Sequence, residues 1–521
     1  MKILKTKFVF YLPMIILSFV VMLFYTRSSP LFFTNIWVDA NAFLTVGKGI
    51  VHGLIPYRDL FEQKGPILYF IHSIAYILDP NSFFVIYVFE SIAMALNMIL
   101  FYKIARLFIS QHLAYLISFI LPTLILNYAY FVFGDSAEEF AISGLLFLIY
   151  SILSCLKNHE LSFTNRTLFI HGIIVAFIFW IKYTLIGAWV GFFIFYGIYL
   201  LWEKQFAKLR QTIIITLAGF LTVSIPVLVY FWINNGLRDL FGVYFIFNMT
   251  SYTGDNTFWV RILNILMFFI RLEAGITQFI LSFLMLTGIG LIIFLHRSKN
   301  SKIILLYIVS LLSAGFFQYI GGHFYSRYYL LILVPFAAIG MIGFACLLEK
   351  IITITIRGKY LRIIYVLAFI SAIIFPFSLN NNILYSRLFP YNSDQVVKSP
   401  MNSDPNSMIS AQKEFAKIIN KVSNATLLNY GSLDFGFYLA ADILPNVRFF
   451  EKQNVDDKIN PENQLAQDSY IKEKKVDFVV LIENKDLDMS LIEKNYKLVA
   501  VHVQTYWEVV RKYLLYQKKK D

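Results

Sequence analysis

The sequence predicts a polytopic α-helical membrane protein that ends in a small soluble α/β domain. Three observations predict it. Apolar runs of membrane-spanning length recur from the N-terminus to about residue 380. Only 15% of the residues are charged while 58% are hydrophobic, and composition changes sharply near Asn380. A soluble chain of 521 residues buries a core but cannot hide this much apolar surface.

The predicted spans are 8–26, 83–104, 113–133, 137–156, 167–182, 184–202, 211–233, 278–296, 302–320, 328–349 and 361–379. That makes about eleven, with roughly ten to thirteen as the range, because one span needs ~20 apolar residues. The first run follows Lys2, Lys5 and Lys7, as a secretory signal would. Ala40-Asn41-Ala42 has the form of a cleavage site but lies too far beyond the run, so the run is read as an uncleaved helix. Two long connections leave the bundle. Within 27–82, Gly65 to Asp79 is apolar but too short to span comfortably, and helices lying along the membrane surface are expected there. Residues 234–277 are similar, with an apolar run broken by Arg271 and Glu273.

Basic residues set the orientation. Lys2/Lys5/Lys7, Lys103/Arg106, Lys157/Arg166, Lys204/Lys208/Arg210, Arg297/Lys299/Lys302 and Lys350/Arg357/Lys359/Arg362 all fall on one side. That side is read as cytoplasmic and holds the N-terminus. An odd number of spans then puts the C-terminal domain outside the cell with the two long connections. The net charge of +13 lies largely in short loops, so it reports topology. Membrane lipids and lipid phosphates, not nucleic acid, are the expected partners. Cys155 and Cys346 lie in or beside apolar runs, which argues against a disulfide framework or a cysteine metal site.

Residues 1–380 are therefore assigned to the membrane domain, 381–407, rich in Pro, Asn and Ser, to a linker, and 408–521 to the soluble domain. In the last, strands are expected at Ala425–Tyr430, Val476–Ile482, Leu498–Val503 and Trp507–Leu515. Helices are expected near 409–421 and 461–474.

Charge is costly beside a bilayer unless it is satisfied or used. The stretch from Trp37 through Asp39 to Pro66 is thus the leading candidate site. Asp39 has a plain reading as a helix N-cap and a functional one as a general base. Asp135, Glu138 and Glu139 open another helix on the same expected face, where acids also suit the helix dipole. Arg58 and Lys64 share the first loop, and His323 and Arg327 occupy a later outer turn. Arg grips phosphate bidentately and Lys acts as a point charge, so these four are candidates for a lipid-phosphate head group. For Arg327 the rival is interfacial anchoring, which is favoured for Tyr328 and Tyr329.

Asp39, Gly47-Lys48-Gly49, Gly53, Pro56-Tyr57-Arg58-Asp59 and Lys64-Gly65-Pro66 resemble the first outer loop of the GT-C membrane glycosyltransferases. The branch they are most similar to holds the protein O-mannosyltransferases, the aminoarabinose transferases of lipid A and the rhizobial galacturonosyltransferase-like proteins. His323 to Pro335 also resembles that branch's later His/Tyr-rich turn. The likeness covers about three quarters of the chain. It implies an inverting transfer from a polyprenyl-phosphate sugar to a glycan, teichoic acid or lipid acceptor of the cell envelope. Asp39 would be the base, the acids at 135–139 would assist the acceptor or a metal, and Tyr57, Asp59, Gly65 and Pro66 would shape the loop. A divalent metal is used by some relatives only and is left open. The protein mannosyltransferases carry Asp-Glu at the first-loop position, whereas Ala40 follows Asp39 here, which argues against a protein acceptor.

Other motifs give less. Asp486-Leu487-Asp488 has the Asp-x-Asp form of metal-binding nucleotide-sugar enzymes but no supporting fold, and reads as a solvated turn. Gly288-Ile289-Gly290 lies inside a span and reads as helix packing. His72, His112 and His171 show no ligand spacing. The rival class is a transporter or flippase of lipid-linked sugars, which would place ionisable groups at mid-bilayer. Glu90 is the clearest such group, while most acids gather at the outer boundary. A sensor or scaffold would explain the soluble domain but not the loop.

Overall fold

A computed structural model of the chain describes residues 2–251, 257–260, 262–263, 275–296, 301–319, 326–351, 358–389, 409–455, 457, 459, 461–484, 489–506 and 509–520. Every predicted span contains a helix: Lys2–Tyr25, Phe84–Ala105, Gln111–Ile125, Ala137–Asn158, Asn165–Phe179, Gly187–Trp202, Phe206–Ile233, Gly275–His296, Ser301–Tyr319, Ser326–Ile351 and Gly358–Ile374. Among the described residues, six helices are long and apolar enough to cross a membrane: Phe84–Ala105, Ala137–Lys157, Tyr183–Trp202, Phe206–Ile233, Ser301–Tyr319 and Tyr329–Lys350. The other five spans are represented by shorter apolar helices. The run expected at 113–133 is the clearest shortfall. Its helix carries Pro122 and stops at Ile125, and the chain turns through Asn127, whose carbonyl accepts from the Tyr130 and Phe131 amides.

The chain divides into two compact units. The first comprises Met1–Thr26, Tyr87–Pro226 and Gly254–Asn381, and is a helical bundle. Its helices Gly275–His296 and Ser326–Ile351 cross at small residues. A Cβ built on Gly288 would sit 2.1 Å from the Gly340 Cα, so the backbones touch, as expected of a membrane helix pair.

The second unit comprises Arg27–Ile86, Val227–Thr253 and Asn382–Asp521. It brings together the first long connection, the start of the second, and the C-terminal segment. The short apolar segment forms the helix Pro66–Leu78, preceded by a helix at Val38–Val51. The C-terminal segment carries a four-stranded sheet: β1 (Leu427–Asn429), β2 (Phe478–Ile482), β3 (Tyr496–Tyr506) and β4 (Val509–Lys518), in the order β1-β2-β4-β3. β1 and β2 are parallel, with the helix Glu462–Lys472 in the connection between them, and the other pairings are antiparallel. The helix Ala411–Ile419 starts at Ser410, whose hydroxyl accepts from the Lys413 amide. These elements fall where the alternation placed them. β1 is shorter and β3 longer than expected, since hairpin pairing with β4 extends β3 at both ends.

Candidate active site

In the second unit the site is built on the helix Val38–Val51. The N-cap position is held by Trp37, in extended conformation and without a side-chain cap bond. Asp39 therefore lies in the first helical turn, half-buried, and not at the N-cap. Asn41 secures the helix start: its Nδ2 donates to the Asn35 and Trp37 carbonyls, both at 2.9 Å.

Two elements immobilise this helix. Ser73, on the helix Pro66–Leu78, donates its hydroxyl to the Gly47 carbonyl at 3.0 Å. On the face made by Asn41, Thr45 and Lys48, the C-terminal segment closes in. The Thr45 hydroxyl donates to Asp434 Oδ2 at 2.9 Å, and Lys48 Nζ to Asp442 Oδ1 at 2.5 Å. Asp434 is fully buried and its Oδ1 also accepts from the Gly436 and Phe437 amides and from Asn429. A buried carboxylate needs such a set of donors.

The motif loop that follows is held as tightly. Tyr57 takes a left-handed φ of 69°, with its amide on the Leu60 carbonyl at 2.8 Å. Its buried ring stacks on Phe231, and its hydroxyl donates to the Lys64 carbonyl at 2.6 Å. Asp59 Oδ2 accepts from the Ile55 amide at 2.8 Å and closes the turn. Burial raises the Asp59 pKa, but the bonds from Arg58 and Ile55 outweigh it and hold the group below its ordinary value. Arg58 is bidentate on Asp59, at 2.9 and 2.8 Å, and gives Nη1 to the Asn234 carbonyl. Its guanidinium thus ties the loop to itself and to Asn234. Gly65 is the extended N-cap residue of the helix Pro66–Leu78 and Pro66 its first residue, the place where a missing N–H costs nothing. Lys64 Nζ lies 3.8 Å from Glu62 Oε1.

Glu62 and Glu451, neither singled out by sequence, join this region. Glu62 Oε2 accepts from the Lys64 amide and from the Tyr69 hydroxyl. Glu451 Oε2 accepts from the Asp434 amide at 2.6 Å. Burial, then the Asp434 carboxylate, then Glu62 and Asp39, push Glu451 well above the usual carboxylate range. Asp39, Glu62, Asp434 and Glu451 are thus electrostatic neighbours.

In the first unit, Asp135 (φ 51°) and Gly134 (φ 82°) form a left-handed turn that ends at Ser136, whose hydroxyl caps the helix Ala137–Asn158 on the Glu139 amide. The Asp135 amide donates to Glu90 Oε1 at 2.7 Å and to Glu139 Oε2 at 3.0 Å. Both Glu90 oxygens are 2.8 Å from the Thr26 hydroxyl. A Cβ on Gly134 would lie 2.3 Å from Glu90 Oε1, so only glycine admits that carboxylate. Glu138, almost fully buried, receives Lys182 Nζ at 2.6 Å. Glu90 and Lys182 are the additions here. The isolated charge of Glu90 inside an apolar run was the signal for the first; Lys182 closes a span and gave none. The buried Tyr329 ring packs edge-on against Tyr319, 4.7 Å between centroids. His323 and Asp486-Leu487-Asp488 lie outside the described residues, as does the Arg327 side chain. Among the described residues no group of three His, Cys, Asp or Glu side chains is arranged to hold a metal ion.

The family model described as dolichyl-phosphate-mannose-protein mannosyltransferase matches residues 63–232, a segment holding Lys64-Gly65-Pro66, Glu90, Asp135–Glu139 and Lys182. The structure is similar to that of ArnT from Cupriavidus metallidurans bound to undecaprenyl phosphate. The TM-score is 0.59 at 10% identity, over 98% of each chain. The apo form of that protein gives 0.56, again at 10% identity and 98% of each chain. The fold is that of a GT-C type membrane glycosyltransferase. No curated protein matches the sequence. The GT-C fold covers the C-terminal sheet as well as the helices, because the alignment spans nearly the whole chain.

Proposed function

We propose that this GT-C chain transfers a sugar from a polyprenyl-phosphate donor to a glycan, teichoic acid or lipid acceptor on the outer face of the membrane. Asp39 takes the proton of the acceptor hydroxyl. The acceptor oxygen bonds to the anomeric carbon from the face opposite the phosphate, the carbon–oxygen bond to phosphate breaks, and polyprenyl phosphate leaves with the electron pair. The sugar carbon is thereby inverted.

One observation carries this reading. Asp39 is a half-buried carboxylate at the positive end of a helix that is fastened on two sides. A general base needs access and fixed geometry together, and a half-buried position on a fastened helix supports both. Of the two loop cations, Lys64 is the better candidate for the donor phosphate, since Arg58 is spent on Asp59 and Asn234. Glu138, Glu139 and Asp135, with His323 and Arg327, are assigned supporting roles toward acceptor and donor. The buried Glu90 is the feature most like a transporter's. Its bonds to Thr26 and to the Asp135 amide favour a fixed turn over a moving ion site.

The test is release of polyprenyl phosphate by purified protein from undecaprenyl-phosphate-linked sugars. Asp39→Asn should slow it by about 100-fold or more. Release at the wild-type rate would end the assignment. Envelope glycan analysis of a deletion strain separates the rivals: a missing sugar supports the transferase, and accumulated complete units inside the cell support a flippase.

A further inference from the structure

The strongest unassigned feature is the seam inside the second unit, where the C-terminal segment meets the first loop. Asp434 binds Thr45, and Asp442 binds Lys48, on one face of the Asp39 helix. Arg448 and its neighbours bind the motif loop. Arg448 Nε donates to the Tyr57 carbonyl at 3.0 Å, the Phe61 amide donates to the Arg448 carbonyl at 2.8 Å, and Gln453 Nε2 donates to the Phe61 carbonyl at 3.1 Å. The Arg448 guanidinium lies 5.3 Å from the Phe61 ring, and Phe449 packs on that ring at 4.9 Å. Thr45 and Asp434 are both buried, so their bond is made away from competing water.

These contacts are directed to backbone carbonyls, one amide and one helix face. Together with the packing on the Phe61 ring, they specify where the loop runs. A helix of fourteen residues beside a membrane has little stability of its own, so its position is set by what grips it. Gly436, two residues beyond Asp434, leaves room for the Asn41 amide that secures the helix start. The grip therefore extends from the first turn, where Asp39 lies, to the turn holding Lys48.

We propose that the C-terminal segment 434–453 is a positioning element of the transfer site: Asp434, through Thr45, and Arg448, through the Tyr57–Phe61 backbone, hold the Asp39 helix and its loop in the reactive arrangement. This rests on the reading of Asp39 as the base. Thr45 and Arg448 touch neither sugar nor phosphate and act through the loop.

The test uses full-length protein with Thr45→Val, Thr45→Ser and Arg448→Met, read by donor turnover and by hydrogen exchange. Thr45→Val should lower kcat about tenfold while the donor KM stays within about twofold, and exchange should quicken in Val38–Val51 but not in β1–β4. Thr45→Ser keeps the hydroxyl and should restore kcat. Arg448→Met should lower kcat similarly, with faster exchange at Tyr57 and Phe61. Unchanged kcat in Thr45→Val, loss without rescue by serine, or exchange that quickens equally throughout the sheet would overturn the proposal. Should Asp39→Asn retain full activity, the base reading fails, while exchange in Val38–Val51 still decides the grip.

Discussion

Arg448 and Tyr57 stand 391 positions apart, yet the guanidinium of one donates to the backbone carbonyl of the other at 3.0 Å. Tyr57 is the residue whose left-handed backbone makes the motif loop turn. The turn is thus held from without by Arg448 and from within by the Tyr57 hydroxyl, which reaches forward to the Lys64 carbonyl. That second bond fixes the distance between the turn and the Lys-Gly-Pro corner.

Tyr57→Phe isolates it. The ring and its stacking on Phe231 stay, and the half-buried Lys64 carbonyl loses the Tyr57 donor. Losing one such bond costs about 0.5–1.5 kcal/mol, and thermal melting of the purified protein should fall accordingly. Turnover should fall too, because Lys64 is released from its place. Unaltered melting and turnover would show that the bond is dispensable.

Gly134→Ala examines the turn in the first unit. The residue sits at φ 82°, and an added Cβ would meet Glu90 Oε1 at 2.3 Å and Thr26 Oγ1 at 2.5 Å. Backbone strain alone costs about 1–3 kcal/mol, before the displaced Glu90 is counted. Both melting temperature and sugar transfer should drop, since the Asp135 amide loses one of its two acceptors. Wild-type behaviour from this variant would remove Glu90 from the account of the turn.

Glu138 and Lys182 offer a cleaner cycle. Lys182→Met strands a carboxylate that is almost wholly buried, at a cost of about 3–5 kcal/mol. Adding Glu138→Gln removes the stranded charge, so the double variant should regain most of the lost stability. Lys182→Arg keeps the charge and should stay close to wild type. Additive losses, measured by thermal or denaturant unfolding, would mean that the pair is not coupled.

The membrane helices and the four strands were legible because each announces itself locally, by length of apolar run or by alternation. The motif loop was legible too, since Pro56, Asp59, Gly65 and Pro66 are turn and helix-start residues in their own right. Asp39 stands two positions past the N-cap instead of at it: the Asn35 side chain bonds the Trp37 amide, and Trp37 holds the cap position. The partners of the site were not legible. Asp434 with Thr45, and Glu90 with Asp135, meet across 389 and 45 positions. A sequence carries no local mark of such meetings. Glu451 looks like any surface glutamate until the fold buries it beside Asp434.

That burial yields a pH dependence with a definite sign. In the unfolded chain Glu451 titrates near 4.5, whereas burial, Asp434, Glu62 and Asp39 hold it well above that in the folded protein. Below about pH 4 both states carry the proton and the group does not favour unfolding. As pH rises past 4.5 the unfolded state ionises first, binds fewer protons than the folded one, and gains on it. Stability contributed at this site is therefore lost on going from acid toward neutral pH, the reverse of an ion-paired carboxylate. Glu451→Gln keeps a carbonyl oxygen for the Asp434 amide and cannot ionise. Its melting temperature should match wild type near pH 4 to within the effect of the swap itself. By pH 8 it should exceed wild type by a further margin that grows as pH rises. Melting curves of both proteins across that range check it; a difference that stays constant with pH would mean that Glu451 is not held protonated by its surroundings.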